Sequence, residues 1–336
     1  MKYLLAAALS ATVVVGVALT TVTCGPAKGD PNDVGGPEYV ALESAPVTTA
    51  EESATRRSSH GIKTAFVILM ENHNWSEIRG NPSARYINEV LLPASASAED
   101  YHDNPKHVHP SEPNYIWMEA GDNLAIRDND DPDENYRNTR KHLVSLLQTA
   151  GVPWKSYQQG ISGRRCPLEE EGSYAPKHNP MVFFSDVTDH NDERSANCIA
   201  HVRPETELAT DLANGSVSGY VFITPDMCHN MHDACASKNQ IKNGDDFLAM
   251  EIPKIQASAA YRDGGAIFVT WDEGEGGNFP IGMIVLSPLA KAGYVTRTPF
   301  SHSSFLRTVQ EIFAVEPLLR DAKNATSLAE MFTAYP

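Results

Sequence analysis

The sequence predicts an α/β protein, a three-layer α/β/α sandwich around a mostly parallel central sheet. Three observations predict it. Short, continuously apolar runs alternate with helical patterns. Each run is apolar at successive positions rather than every second one, as strands covered on both faces require. Several of the runs end in acids, where open α/β sheets form their ligand crevice.

The first run is Thr64–Met70, followed at once by Glu71-Asn72-His73-Asn74. A second, Tyr220–Thr224, leads into Pro225-Asp226, and a third, Ala266–Trp271, leads into Asp272-Glu273 and the glycine-rich stretch Gly274–Gly277. A fourth, Ile281–Leu286, ends at Ser287-Pro288. Helical patterns lie between and after them, at His142–Ala150 with Gly151 as its stop, at Asp246–Ala259 and at Ser303–Phe313.

The N-terminus reads differently. Lys2 precedes an uncharged, mostly apolar run from Tyr3 to Thr23, which fits a secretory signal peptide, with a membrane anchor as the alternative. Thr23-Cys24-Gly25 raises a lipidated Cys24 and a membrane tether through it, against a soluble exported protein. Residues 25–60 are rich in Gly, Pro, Ser, Thr and Glu and read as a flexible tether. The expected organisation is therefore a signal peptide at 1–23, a linker at 24–60 and one domain at 61–336. The expected location is periplasmic, outer-membrane lipoprotein or extracellular, and the expected state is a monomer.

Cysteine usage agrees with export. Apart from Cys24, the chain has Cys166, Cys198, Cys228 and Cys235. Four cysteines allow three connectivities, and Cys166–Cys198 with Cys228–Cys235 closes the shortest loops. A zinc site is the alternative, but no CxxC knuckle supports it. The formal charge of −16, from 43 acids against 27 Lys and Arg, repels polyanions and excludes nucleic acid as a bulk partner.

Acids at the ends of three buried strands repel one another unless a cation neutralises them. Glu71, Asp226, Asp272 and Glu273 are therefore candidate ligands of a hard divalent ion, against the simpler reading as helix caps or solvated turns. Ser111 sits in His107-Val-His109-Pro110-Ser111-Glu112-Pro113-Asn114-Tyr115, where two prolines restrict the backbone around a hydroxyl. Beside a divalent ion such a serine becomes a nucleophile without a Ser–His–Asp triad. Further imidazoles cluster at His178, at His229 and His232, and at His302.

These residues together resemble the bacterial phosphoesterase family of phospholipases C and acid phosphatases, within the alkaline-phosphatase-like superfamily. The segments that carry the resemblance are Met70–His73, His109–Tyr115, Lys177–Pro180, Pro225–Asp233, Val269–Gly274 and Ser301–Thr308. It is nearest to secreted acid phosphatases of the phosphatidylinositol-3-phosphatase type. The resemblance implies that Glu71 and Asn72 supply one pair of metal ligands and Asp272 and Glu273 the other. It implies Ser111 as the phosphorylated nucleophile and Asn114, Lys177 and His178 as phosphoryl contacts. It places His232, Asp233 and His302 on the leaving-group side.

Asn72 and Glu273 stand where the two-zinc enzymes of the superfamily carry Asp and His, so the expected site is all-oxygen. It would hold one divalent ion (Ca, Mg, Mn or Zn), with a second at Asp226, His232 and His302 as the lesser alternative. The acid cluster Asp128–Glu134 lacks the glycine and spacing of a calcium loop and reads as solvated. The function implied is an exported, metal-dependent phosphomonoesterase acting on a phosphate ester. A phosphodiesterase of the phospholipase C type is the runner-up, and a non-catalytic metal-binding protein the third reading.

Overall fold

The computed structural model describes residues 61–217 and 219–336. The signal-peptide, tether and Cys24 readings lie outside the described residues. Among the described residues, ten strands occur in chain order. They are β1 (Thr64–Met70), β2 (Ala96–Ala98), β3 (Tyr101–His102), β4 (Trp154–Gln158), β5 (Val202–Pro204), β6 (Tyr220–Thr224), β7 (Gly265–Trp271), β8 (Met283–Leu286), β9 (Tyr294–Thr296) and β10 (Phe300–Ser301). The longer helices are α1 (Ser111–Ala120), α2 (Leu143–Thr149), α3 (Leu208–Asn214), α4 (Gln240–Gln256) and α5 (His302–Ile312).

Eight strands form one sheet in the order β5-β4-β6-β1-β7-β8-β2-β9, and β3 pairs with β10 in a second, two-stranded one. The fold is the mostly parallel α/β architecture that the apolar runs predict. β1 runs parallel to β6 on one side and to β7 on the other. Every residue of β1, β6, β7 and β8 is buried, so helices cover both faces of the sheet centre. The helices fall into two groups, α1 with α2 and α5, and α3 with α4.

The differences from the sequence reading have local causes. Helix α4 starts earlier than Asp246, because the Asn239 side chain caps it by accepting from the Lys242 N–H at 2.9 Å. Strand β8 starts at Met283, not Ile281, since Gly282 has a φ of +78° that no regular strand adopts. β8 also turns back antiparallel to β7. Both expected disulfides are present, Cys166–Cys198 and Cys228–Cys235. Among the described residues no helix is long and apolar enough to cross a membrane.

Two interior features tie the layers together. A Cβ on Gly282 would lie 2.2 Å from the Trp75 ring, so only glycine lets that backbone pass. His142, at the N-cap position of α2, is a buried ionisable node. Its Nδ1 is 3.1 Å from Glu119 Oε1 on α1, its Nε2 is 2.8 Å from Asp186 Oδ1, and its ring stacks on Phe184. Burial alone depresses the His142 pKa, but the hydrogen bonds its ring donates to Asp186 and Glu119 outweigh it and the net shift is upward.

Two outcomes follow from these contacts. Gly282→Ala combines a left-handed backbone with a ring clash and should cost about 2 kcal/mol or more, read as a lower denaturation midpoint. His142, with a raised folded-state pKa, contributes stability that is complete below the ordinary histidine value and lost as pH rises through the raised one. Stability should therefore fall as pH rises above the ordinary histidine value, and His142→Gln should make that fall shallower.

Candidate active site

The site is built where β1 and β7 end. The two strands are neighbours in register from Thr64 opposite Gly265 to Met70 opposite Trp271, so the next residues, Glu71 and Asp272, emerge side by side. The Asp272 N–H donates to the Met70 carbonyl at 2.9 Å, and the Asn72 N–H donates to Asp272 Oδ1 at 2.9 Å. Asn72 takes a φ of +41°, a conformation asparagine tolerates better than most residues, and this turns the chain away from the sheet.

Ser111 meets these carboxylates from above as the first residue of α1. Its Oγ is 3.2 Å from Glu71 Oε2 and 3.4 Å from Glu273 Oε1. The hydroxyl thus sits between two strand ends and at a helix N-terminus, whose positive dipole end favours an anion, while the Glu112 N–H donates to Asn129 Oδ1 at 3.0 Å and Pro113 has none. Asn114, one turn along α1, donates to Glu273 Oε2 at 3.0 Å. Tyr115 donates to Glu71 Oε1 at 2.6 Å, and its ring stacks on His178, whose Nε2 lies 3.2 Å from the same oxygen.

The loop after β6 locks the opposite side. The Glu71 N–H donates to the Asn230 carbonyl at 2.8 Å, inside the segment closed by Cys228–Cys235. His232 follows, with Nδ1 2.8 Å from Asp233 Oδ1 and its ring 6.3 Å from that of His178. His232 and Asp233 remain open to solvent. Lys177 is half-buried and electrostatically close to Glu71 and Glu273, the cation that reaches both.

Two expected residues stand elsewhere. Asp226 uses its carboxylate to close its own loop: Oδ2 accepts from Ser173 at 2.7 Å, and Oδ1 accepts from the Cys228 and His229 N–H groups at 3.1 Å. It is not brought against Glu71 or Asp272. His302 has both ring nitrogens engaged, one on the Asp272 carbonyl at 2.6 Å and the other on the Tyr101 hydroxyl at 3.1 Å. Burial pushes its pKa down to about 4. It stands behind Asp272 as a neutral support.

Three contributors escape the sequence reading. Tyr115 is one. The other two are His109, whose Nδ1 contacts Glu273 Oε2, and Asp103, 3.7 Å from His109 Nε2. The only sequence signal for His109 is its place two residues before Ser111. Glu112 is a fourth oddity: it is buried, both carboxylate oxygens lack hydrogen-bond partners, and burial followed by repulsion from Asp128 lifts its pKa to about 9.

The electrostatics suit a cation. Burial first, then repulsion from Asp272, raises the Glu71 pKa well above the carboxylate range. Burial and Glu273 do the same to Asp272. Glu273 is raised to about 8, by burial and then Glu71. Asp272 Oδ2 is buried without a hydrogen-bond partner. Buried oxygens that repel one another, one of them unpaired, match the donor set of a hard divalent ion. The His178 pKa is lowered well below normal by burial and then Lys177, so that imidazole is neutral.

The mouth is a cleft of about 480 Å³ lined by Asn72, His109, Glu273 and the Gly274–Asn278 turn. Another cleft, of about 560 Å³ around Asp131, Arg165 and Glu169, holds none of these groups.

Residues 94–316 match the model of the Phosphoesterase family, and the chain belongs to that family. The match leaves out β1 and the Glu71–Asn72 pair. A probable acid phosphatase of Kluyveromyces lactis is 29% identical over 247 residues, 71% of this chain and 54% of that protein. The chain thus spans about half the length of that relative. A phosphatidylinositol-3-phosphatase of Mycobacterium tuberculosis is 26% identical over 267 residues, 79% of this chain and 81% of that protein. A protein of the alkaline phosphatase superfamily from Vibrio parahaemolyticus shares the fold, with a TM-score of 0.51, 12% identity and coverage of 82% of this chain and 73% of that one.

The raised carboxylate pKa values predict that a divalent ion binding here expels protons held at neutral pH. Binding heats at pH 7 should differ between buffers of unequal ionisation enthalpy, in the sense of proton release. Equal heats would contradict this charge state.

Proposed function

We propose that the chain is an exported, metal-dependent phosphomonoesterase of the acid phosphatase type that works through a phosphoserine on Ser111. The observation that carries the reading is the Ser111 hydroxyl at the N-terminus of α1, 3.2 and 3.4 Å from carboxylates at the ends of two neighbouring strands. Membership of the Phosphoesterase family and the acid phosphatase relatives support the reaction class. The two disulfides support an oxidising compartment. A membrane tether through Cys24 remains part of the proposal, as does phosphatidylinositol 3-phosphate as a substrate, by likeness to the mycobacterial relative.

Glu71, Asn72, Asp272 and Glu273 would hold the divalent ion, which when bound lowers the pKa of a nearby hydroxyl and offsets phosphoryl charge. Asn114, Lys177 and His178 orient the phosphoryl oxygens, and the positive dipole end of α1 favours their charge. Ser111 Oγ attacks phosphorus in line, its proton passing to a neighbouring carboxylate, while the bond to the alcohol oxygen breaks. His232, oriented by Asp233, protonates that leaving oxygen. Water then attacks the phosphoserine, inorganic phosphate leaves, and Ser111 regains its proton. His302 acts by holding the Asp272 backbone.

A phosphodiesterase of the phospholipase C type is the second reading. A separate cleft of about 600 Å³, lined by Trp75, Phe279 and Pro280 together with Arg79, Glu99, Asp100 and Arg297, begins one residue past the Gly274–Asn278 turn and offers room for a larger alcohol. Ser111→Ala should reduce turnover of p-nitrophenyl phosphate by on the order of 10³-fold or more with the fold intact, and chelation should do the same reversibly. Wild-type turnover in Ser111→Ala would remove the nucleophile assignment. Faster turnover of phosphatidylcholine than of any monoester would favour the diesterase, and metal-dependent melting without hydrolysis the non-catalytic reading.

A further inference from the structure

His73 directly follows the Glu71-Asn72 pair but faces a different neighbourhood. It is only 3% exposed, and neither ring nitrogen has a hydrogen-bond partner. The Met231 backbone lies beside the ring without meeting hydrogen-bond geometry. A buried imidazole with two unpaired polar atoms is costly, because burial removes water that nothing replaces. Its Nδ1 points toward Glu77, 3.7 Å from Oε2. One donor atom each from His73, Glu77 and Glu275 lies within 4.8 Å of the other two. Among the described residues no other three His, Cys, Asp or Glu donors come so close together.

The surroundings hold this arrangement. Glu77 Oε2 accepts from the Asn74 N–H at 2.9 Å, which fixes the carboxylate on the short helix Trp75–Ile78. Asn74 Nδ2 donates to the Glu275 carbonyl at 2.8 Å, and the Trp75 N–H donates to the Pro280 carbonyl at 2.7 Å. The glycine-rich turn is thereby pinned against the helix. Glu275 itself is exposed, so the group opens to solvent on one side.

We infer that His73, Glu77 and Glu275 form a second metal site, distinct from the strand-end carboxylates around Ser111, that takes a divalent first-row transition ion such as Zn²⁺. One imidazole and two carboxylates, with water completing the shell, suit Zn²⁺ or Mn²⁺ better than the all-oxygen preference of Ca²⁺ and Mg²⁺. Two acids offset one dication, and the ion supplies the partner that the buried ring lacks. Occupancy ties the helix at Trp75–Ile78 to the Gly274–Gly277 turn that borders Glu273. The site is thus a clasp on the rim of the catalytic cleft, and it stands whether or not the phosphatase reading does.

The test is titration of Zn²⁺ into the purified protein by calorimetry, in wild type, Glu275→Gln and Glu71→Gln. Glu275→Gln should weaken one Zn²⁺ site at least about tenfold, as loss of one of three protein ligands implies, while Glu71→Gln keeps that site. X-ray absorption of the Zn²⁺-loaded Glu71→Gln protein should show an imidazole nitrogen in the first shell that disappears in Glu71→Gln/His73→Gln. Unchanged stoichiometry and affinity in Glu275→Gln overturns the inference. Because Glu275 is exposed, this arm survives even if replacing the buried His73 disturbs folding. Loss of metal only in Glu71→Gln would count against the strand-end site's independence and against this clasp together.

Discussion

Acids of the same charge cannot share a dry pocket unless something offsets their repulsion, and this protein brings three to the ends of its two central strands. β1 and β7 are parallel and in register, so Glu71 and Asp272 must leave the sheet as neighbours, with Glu273 one residue on. Burial and mutual repulsion hold all three pKa values high. The surrounding architecture serves that cluster. α1 delivers Ser111 and Asn114, the disulfide-closed loop braces the Glu71 backbone, and His302 braces Asp272.

Much of this was legible in the sequence, for a physical reason. β1, β6 and β7 are buried on both faces, so their residues are apolar without alternation and their ends are sharp. The acids that follow them stand out because charge directly after a buried strand needs an explanation. Glu71, Asp272 and Glu273 stand out by that logic, Ser111 by the two prolines that bracket it, and the hydroxyl lies against Glu71 and Glu273. The strands toward one edge were not legible. β4, between β6 and the edge strand β5, carries Lys155 and Gln158, β5 carries Arg203, and strands this short and polar leave no apolar run.

The residues missed at the site share another property. Tyr115 looks like an ordinary core aromatic on α1, and only the fold places its hydroxyl on Glu71. His109 meets Glu273 across a long stretch of chain, a pairing that no local pattern encodes, and Asp103 stands behind His109. Asp226 shows where the rule stops discriminating. It follows a buried strand as Glu71 does, yet its loop turns at once and consumes the carboxylate as a backbone cap. The strand-end rule finds candidates, and the hydrogen bonds of the next few residues decide among them.

The central claim is that the strand-end acids prepare Ser111 for covalent phosphoryl transfer when a divalent ion is present. Acid-quenching the metal-loaded protein during turnover of a ³²P-labelled monoester, then mapping the label, tests it most directly. The account predicts phosphoserine at position 111, absent from chelated protein and from Glu71→Gln. Steady phosphate release with no protein-bound label, or with label on another residue, would contradict it.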